Sequence, residues 1–111
     1  MQTDAATPQA RQATIFAALG DGTRLALMET LARDSPQSIS RLAEGAPVTR
    51  QAITKHLRVL EGAGIVRSIR HGRETLFEFR PGPIDDAGHY LARVADQWDD
   101  ALMRLKRFVE D

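Results

Sequence analysis

The sequence contains no cysteine among its 111 residues and no run of 18 apolar residues. The lack of cysteine excludes disulfide bonds, thiolate metal ligands and cysteine-based redox switching. The lack of a long apolar run predicts that no helix spans a membrane. The first dozen residues also lack the apolar segment typical of an export signal, so we expect a cytoplasmic protein that associates with the nucleoid only if it binds DNA.

The chain also has no excess of charge of either sign, because 15 basic residues balance 15 acidic residues. The distribution along the chain is uneven. Residues 49–80 contain six arginines and one lysine against three glutamates, a net charge of +4, whereas the segments before and after carry −1 and −3. Phosphate binding requires such a local concentration of positive charge. A window of this length can also reach +4 by chance, so charge alone is weak evidence.

Capping residues predict where four helices begin. Thr7 followed by proline fits a helix start, and Asp21, Ser38 and Thr49 fit three more. We expect these helices to cover residues 8–19, 22–33, a short stretch after Ser38, and 50–62. Residues 1–6 are expected to be disordered, which leaves residues 7–111 as one domain.

Two strands and a long helix are expected to complete the domain. Residues 66–70 and 73–79 flank His71-Gly72, a typical hairpin turn. Pro81-Gly82-Pro83 is expected to end the sheet, and Asp85 and Asp86 to cap a helix over about residues 84–109. The predicted fold class is therefore mainly α with a small β-hairpin.

Residues 38–64 have the pattern of a short helix, a tight turn and a longer helix. In the longer helix Ile53, Leu57 and Leu60 recur at helical spacing and are expected to face the core. The short helix would then support the longer helix, which lies in the major groove of DNA. We assign the groove contacts to the polar residues at its start: Thr49, Arg50, Gln51, Thr54 and Lys55.

Three further assignments on this helix are less specific. Arg58 is interpreted as a phosphate contact, and the stem of Lys55 can reach either a base edge or a phosphate. His56 either reaches DNA or hydrogen-bonds the helix scaffold. The alternative for the whole helix is an ordinary amphipathic surface helix. The preceding short helix, the glycine turn and the basic hairpin favour DNA binding.

The hairpin provides a second basic surface. Arg70, His71 and Arg73 lie at its expected tip, with Arg67 nearby. These side chains are suited to phosphate or minor-groove contacts. A solvated charged turn is the alternative for any one of them.

The segments LGDGTRLALMETL and VTRQAITKHLRVLEGAGIVRSIRHGRETLFEF resemble the winged helix-turn-helix regulators of the ArsR family. The resemblance covers about residues 13–80, and it departs from the family pattern at Gly22, where proline is usual. It implies a homodimeric bacterial transcription regulator, usually a repressor released by a signal. Its partners would be an inverted-repeat DNA operator, a second copy of the chain and an unidentified small-molecule or protein effector.

Many members of that family sense metals, and the sequence departs from them here. The cysteine pair is absent, and the last helix offers Asp85, Asp86 and His89 with no later histidine. Two ligands on one face do not make a closed transition-metal site. We therefore expect no metal and no cofactor.

An apolar stripe on the last helix predicts a dimer. The stripe has more apolar surface than one small core can cover, and the first helix offers a partner face. The expected interface comprises Ile15, Phe16, Leu19, Leu91, Val94, Trp98, Leu102 and Leu105. The alternative is that the stripe packs within the monomer.

Two other functions have less support in the sequence. A winged-helix module that binds another protein would not need the polar reading face. An enzyme would need paired carboxylates, a nucleophile with its base or a phosphate loop, and the sequence shows none of these motifs. We predict a regulator that binds DNA and is not an enzyme.

Overall fold

The computed structural model describes residues 7–111. The described residues form five helices and three strands, in the order α1 (Pro8–Leu19), α2 (Gly22–Arg33), β1 (Gln37–Ser38), α3 (Ile39–Ala43), α4 (Arg50–Gly62), β2 (Val66–His71), β3 (Glu74–Phe79) and α5 (Pro81–Glu110). The predicted fold class, mainly α with a β-hairpin, is confirmed. The predicted disorder of residues 1–6 lies outside the described residues.

Side-chain caps start the first four helices where the sequence predicts them. The Thr7 hydroxyl accepts from the backbone N–H of Ala10 at 3.0 Å. Asp21, Ser38 and Thr49 accept in the same way from the residue three positions later, at 3.0 to 3.1 Å. Each cap satisfies a backbone N–H that has no partner within the helix.

The core lies where α2 and α4 meet the sheet. Its fully buried large side chains are Leu31, Ile53, Leu57, Leu60, Ile65, Val66 and Phe77. The predicted inward face of α4 is therefore confirmed. Because the core residues of α4 alternate with polar ones at helical spacing, burying them leaves the polar face of α4 in water.

The sheet contains a strand that was not predicted. β1 pairs antiparallel with β3, with Gln37 opposite Phe77 and Ser38 opposite Leu76, and the strand order is β1-β3-β2. Two residues are too few to show the alternation that marks a strand in a sequence. The extra strand joins the middle of β3 to the start of α3.

The hairpin turn lies one residue later than predicted. His71 pairs with Glu74, so Gly72 and Arg73 form the turn rather than His71 and Gly72. Gly72 has a φ of +63°, a left-handed conformation that glycine adopts without a steric penalty. Gly72 thus occupies the first position of the turn rather than the second.

The prediction for the start of α5 was wrong. The helix begins at Pro81, since proline has no N–H to lose in the first turn. No side chain caps it, and Asp85 and Asp86 lie beyond the first turn, so they are not caps. Ala87 is the only buried residue of this 30-residue helix among the described part of the chain. None of the described helices is both long and apolar enough to cross a membrane.

Candidate nucleic-acid interface

The first turns of α4 present three polar side chains with no competing partner. Arg50, Gln51 and Lys55 are exposed, and within residues 7–111 their side chains make no hydrogen bond or ion pair. They lie opposite the buried Ile53 and Leu57. A ligand that binds them therefore does not have to break an existing contact.

The two threonines predicted to contact the groove make hydrogen bonds within α4. The Thr49 hydroxyl caps α4, and the Thr54 hydroxyl donates to the Arg50 carbonyl at 2.9 Å. Their hydroxyl groups therefore maintain the start of the helix. The structure brings both residues to the same end of α4 as Gln51 and Lys55.

Arg58, predicted to contact a phosphate, is held against the protein. Its guanidinium donates to Glu61 at 2.8 Å and lies 5.4 Å from the ring centroid of Phe77. Glu61 also accepts from the Ser68 hydroxyl at 2.7 Å, which joins α4 to β2. The Ser68 hydroxyl first, and Arg58 second, hold the pKa of Glu61 below its usual range.

His56 belongs to a contact between α4 and α2. Its Nδ1 lies 3.3 Å from a guanidinium nitrogen of Arg24 and 3.8 Å from the carboxylate of Asp21. Since arginine only donates, His56 accepts through Nδ1 in this contact. Of the two roles left open for His56, the observed contacts support the scaffold role.

Arg24 was not singled out from the sequence, although it organises this region. Its Nε donates to the carbonyl of Ala18 at 2.6 Å, at the end of α1. Its backbone N–H is the main group that lowers the pKa of Asp21. One side chain thus joins α1, α2 and α4. The only sequence signal was its position three residues after the capping Asp21.

Basic side chains cluster at the tip of the hairpin. Arg70, His71 and Arg73 are exposed there. Arg67 is instead paired across the hairpin with Glu78, at 2.7 Å. The tip therefore offers three side chains to a partner, and Arg67 stabilises the hairpin.

A small cleft connects the hairpin tip to the start of α4. Its volume is about 220 Å³, and its lining includes Arg50, Arg73 and Ser40. Glu74, also in the lining, is the acid in this part of the surface. Arg50 of α4 and Arg73 of the hairpin turn thus line one concave site, together with Glu74.

Ion pairs leave the unpaired charges of residues 49–80 almost entirely positive. Two of the three glutamates, Glu61 and Glu78, are already paired with arginines. The remaining charges are five cations against Glu74 alone: Arg50, Lys55, Arg70, Arg73 and Arg80. Arg80 lies at the other end of the hairpin, and the other four cations lie on the start of α4 or at the hairpin tip. Their sign is the one that a phosphate backbone requires.

Known proteins are similar to this chain in sequence and in fold. A family model described as a helix-turn-helix domain matches residues 19–69. The uncharacterized HTH-type transcriptional regulator YuzN of Bacillus subtilis is 38% identical over 76 residues, which cover 63% of this chain and 83% of YuzN. The ArsR-like transcriptional regulator from Rhodococcus sp. RHA1 superimposes with a TM-score of 0.81 at 38% identity, covering 90% of this chain and 93% of its own. The chain belongs to the ArsR family of winged helix-turn-helix transcriptional regulators.

Family membership places this chain among regulators rather than enzymes. The HTH-type transcriptional repressor SmtB of Mycobacterium tuberculosis is 30% identical over 80 residues, which cover 72% of this chain and 53% of SmtB. This ArsR-family chain thus spans about half the length of SmtB. The β2–β3 hairpin is the wing of the fold.

No group of three or more potential metal ligands occurs in residues 7–111 of this ArsR-family protein. Asp85 and His89 are exposed on α5 at a separation of four residues. Two such ligands fall short of the three or four protein ligands of a transition-metal site.

The predicted dimer surface is largely exposed in the monomer. Trp98 is 65% exposed, and Leu91, Leu102 and Leu105 are each more than half exposed. Val94 is half-buried. The alternative, that the stripe packs wholly within the monomer, disagrees with these exposures.

The first helix contributes less to this surface than expected. Ile15 is 5% exposed and belongs to the core, so its assignment to a dimer interface was wrong. Phe16 and Leu19 are half-buried against the core, and the Phe16 ring lies 6.2 Å from that of Tyr90 on α5. The face of α1 that carries Ile15 therefore packs against the core of the monomer.

Proposed function

We propose that this protein is a homodimeric, sequence-specific DNA-binding repressor that acts in the cytoplasm on an inverted-repeat operator. The observation that carries the proposal is the surface formed by the start of α4 and the wing tip. Within residues 7–111 the four cations of this surface, Arg50, Lys55, Arg70 and Arg73, have no ion pair, and the side chains of Gln51 and Lys55 have no partner in the protein. Repression is proposed by analogy with SmtB, which is named a repressor.

Two kinds of DNA contact follow from the geometry. Gln51 and Lys55 project from the first turns of α4, which suits them to base edges in the major groove. Arg50 and Arg73 border one cleft, which suits them to a shared phosphate between groove and wing. Thr49, Thr54 and His56 maintain the geometry of α4, and Arg70 and His71 extend the backbone contacts at the wing.

A second copy of the chain is proposed to cover the exposed stripe of α5. A twofold axis through that stripe would present two reading helices in opposite directions along the DNA. The operator would then be an inverted repeat with half-sites about one helical turn apart. The covered surface would consist of Leu91, Val94, Trp98, Leu102 and Leu105.

The proposal is tested by measuring affinity for an operator and for scrambled DNA across a salt series. The operator fragment comes from selection of bound sequences out of a random DNA pool. We expect Gln51→Ala to cost about 1–3 kcal/mol on the operator and to relax sequence preference. Arg73→Ala should weaken binding to all sequences similarly, and it should reduce the salt slope by about one unit for each phosphate that the variant no longer touches.

Arg33→Ala is the matched control, because Arg33 is an exposed arginine on α2, away from the proposed surface. Its affinity and salt slope should equal those of the wild type. Selective operator binding by Gln51→Ala and Lys55→Ala at wild-type strength would show that α4 is not the reader. A chain that binds no DNA sequence selectively would instead support the protein-interaction module.

A further inference from the structure

A cleft of about 470 Å³ lies between α2 and the turn that joins α3 to α4. Sites for small molecules in proteins have volumes of about 300–1,000 Å³ and are mostly apolar with a few polar groups. The buried members of this lining are Leu27, Leu42 and Ile53. Thr23 and Thr30 add hydroxyl groups. The cleft therefore has the size and the composition of a small-molecule site.

The sequence of α2 explains why space remains there. Gly22, Ala26 and Thr30 follow one another at intervals of four residues, so they share one face of the helix, and all three are small. The opposite wall is the turn over residues 44–48, in which Gly45 has a φ of +69°. The Ala46 N–H donates to the Ala43 carbonyl at 3.1 Å and closes this turn. A rigid helix face of small residues thus stands opposite an irregular turn.

We propose that this cleft binds a small, uncharged, mainly apolar molecule that carries a hydrogen-bonding group, and that this molecule is the effector of the regulator. The charged side chains of the lining are Arg41 and Glu44, which are opposite in sign and exposed. They stay solvated without help from a ligand, so a neutral occupant leaves no charge unpaired. The threonine hydroxyls can donate to or accept from its polar group.

The regulatory part rests on the proposed DNA-binding function. The turn that forms one wall leads directly into Thr49, the cap of α4. An occupant that widens the cleft must displace either α2 or this turn, and displacement of the turn changes how α4 is presented. We therefore expect occupancy to weaken operator binding.

The binding part is tested on the full chain without DNA. Benzamide, benzoate and benzylamine share one aromatic body and differ in charge, and their binding can be followed by amide chemical shifts in ¹⁵N-labelled protein. We expect benzamide to shift the amides of the cleft with a dissociation constant of about 1 mM, typical of a fragment of this size. Benzoate and benzylamine should bind at least about tenfold more weakly, because each must give up hydration of its charge, and the exposed Arg41 or Glu44 that could pair with it must give up solvation as well.

Ala26→Leu fills the cleft from an exposed position on α2, and Ala32→Leu is the same change at an exposed α2 residue outside the lining. Loss of benzamide binding in Ala26→Leu but not in Ala32→Leu supports the site. Shifts confined to other surfaces, equal binding of the three probes, or binding unchanged by Ala26→Leu would overturn it.

The regulatory part has its own readout. Saturating benzamide should reduce operator affinity at least about fivefold in the wild type and leave Ala26→Leu unaffected. Unchanged operator affinity at saturation would overturn the effector role. Absence of any sequence-selective DNA binding would count against the proposed function. The amide chemical shifts would still show whether the cleft binds benzamide.

Discussion

Replacement of Trp98 by alanine tests the dimer most directly. Trp98 is 65% exposed in the monomer, and a buried aromatic side chain removes about 150–250 Å² from water. About 100–160 Å² per tryptophan is therefore available to a partner, which corresponds to about 2.5–4 kcal/mol at 25 cal/mol per Å². Each dimer contains two copies of this residue. The two copies together contribute about 5–8 kcal/mol, and each alanine retains about 1 kcal/mol of that burial. We therefore expect Trp98→Ala to weaken the dimer by about 3–6 kcal/mol, which is at least about 100-fold.

Sedimentation equilibrium over a wide concentration range measures this change. The monomer should remain folded, since Trp98 lies outside the core, and far-ultraviolet circular dichroism checks that point. Leu25→Ala is the control, because Leu25 is 41% exposed on α2 and lies off the stripe. A dimer dissociation constant unchanged by Trp98→Ala, or changed equally by Leu25→Ala, would refute the proposed interface.

Two other predictions concern contacts that hold α4 in place. Glu61→Gln should destabilise the fold by about 0.5–1.5 kcal/mol in urea unfolding at pH 7, since it weakens the contacts to Ser68 and Arg58. The pKa of Glu61 is lowered in the folded state, so its contribution is present above the usual value near 4.5 and is lost as the pH falls through the folded pKa. Arg24→Ala should destabilise by about 1–3 kcal/mol, because the Ala18 carbonyl and His56 lose a donor. It should also lower operator affinity in a binding titration.

Controls for these two variants are available on α2. Glu29→Gln changes an exposed glutamate outside these contacts and should leave the pH dependence of unfolding as in the wild type. A wild-type pH profile in Glu61→Gln would contradict the account of Glu61. Arg33→Ala should not change stability measurably, and equal losses in Arg33→Ala and Arg24→Ala would contradict the account of Arg24.

Local rules predicted much of the fold. Caps at Thr7, Asp21, Ser38 and Thr49 were predictable because each depends on a side chain and a backbone N–H three residues apart. The inward face of α4 followed from helical spacing alone. These features need no knowledge of the rest of the chain.

Features that depend on distant partners were missed. β1 exists because Gln37 and Ser38 meet β3, about 40 residues later in the chain. Ile15 was assigned to the dimer because spacing shows that a residue is on an apolar face but not which neighbour that face meets. Arg24 was missed for the same reason, since its partners, the Ala18 carbonyl and His56, come from other elements.

The position of the candidate DNA surface was predictable from the sequence, whereas the role of each of its side chains was not. Charge and spacing identified Gln51, Lys55 and Arg73 as polar residues on the outside of the fold, and all three are exposed. The structure adds that Arg58 and Arg67 are neutralised by glutamates, which changes their expected roles. A sequence shows which side chains carry charge, whereas a structure shows which charges are already paired.

The attachment of the wing has a consequence for DNA shape. β1 joins the middle of β3 to the start of α3, and Glu61 joins α4 to β2, so the wing and α4 are held together before any partner arrives. A preformed pair of contact surfaces favours DNA whose grooves match its spacing, and DNA that does not match has to bend or change its groove width to reach both. The cost of that deformation depends on base-step flexibility. We therefore expect preferences at base pairs that no side chain contacts, with flexible pyrimidine–purine steps favoured between the groove and wing contacts.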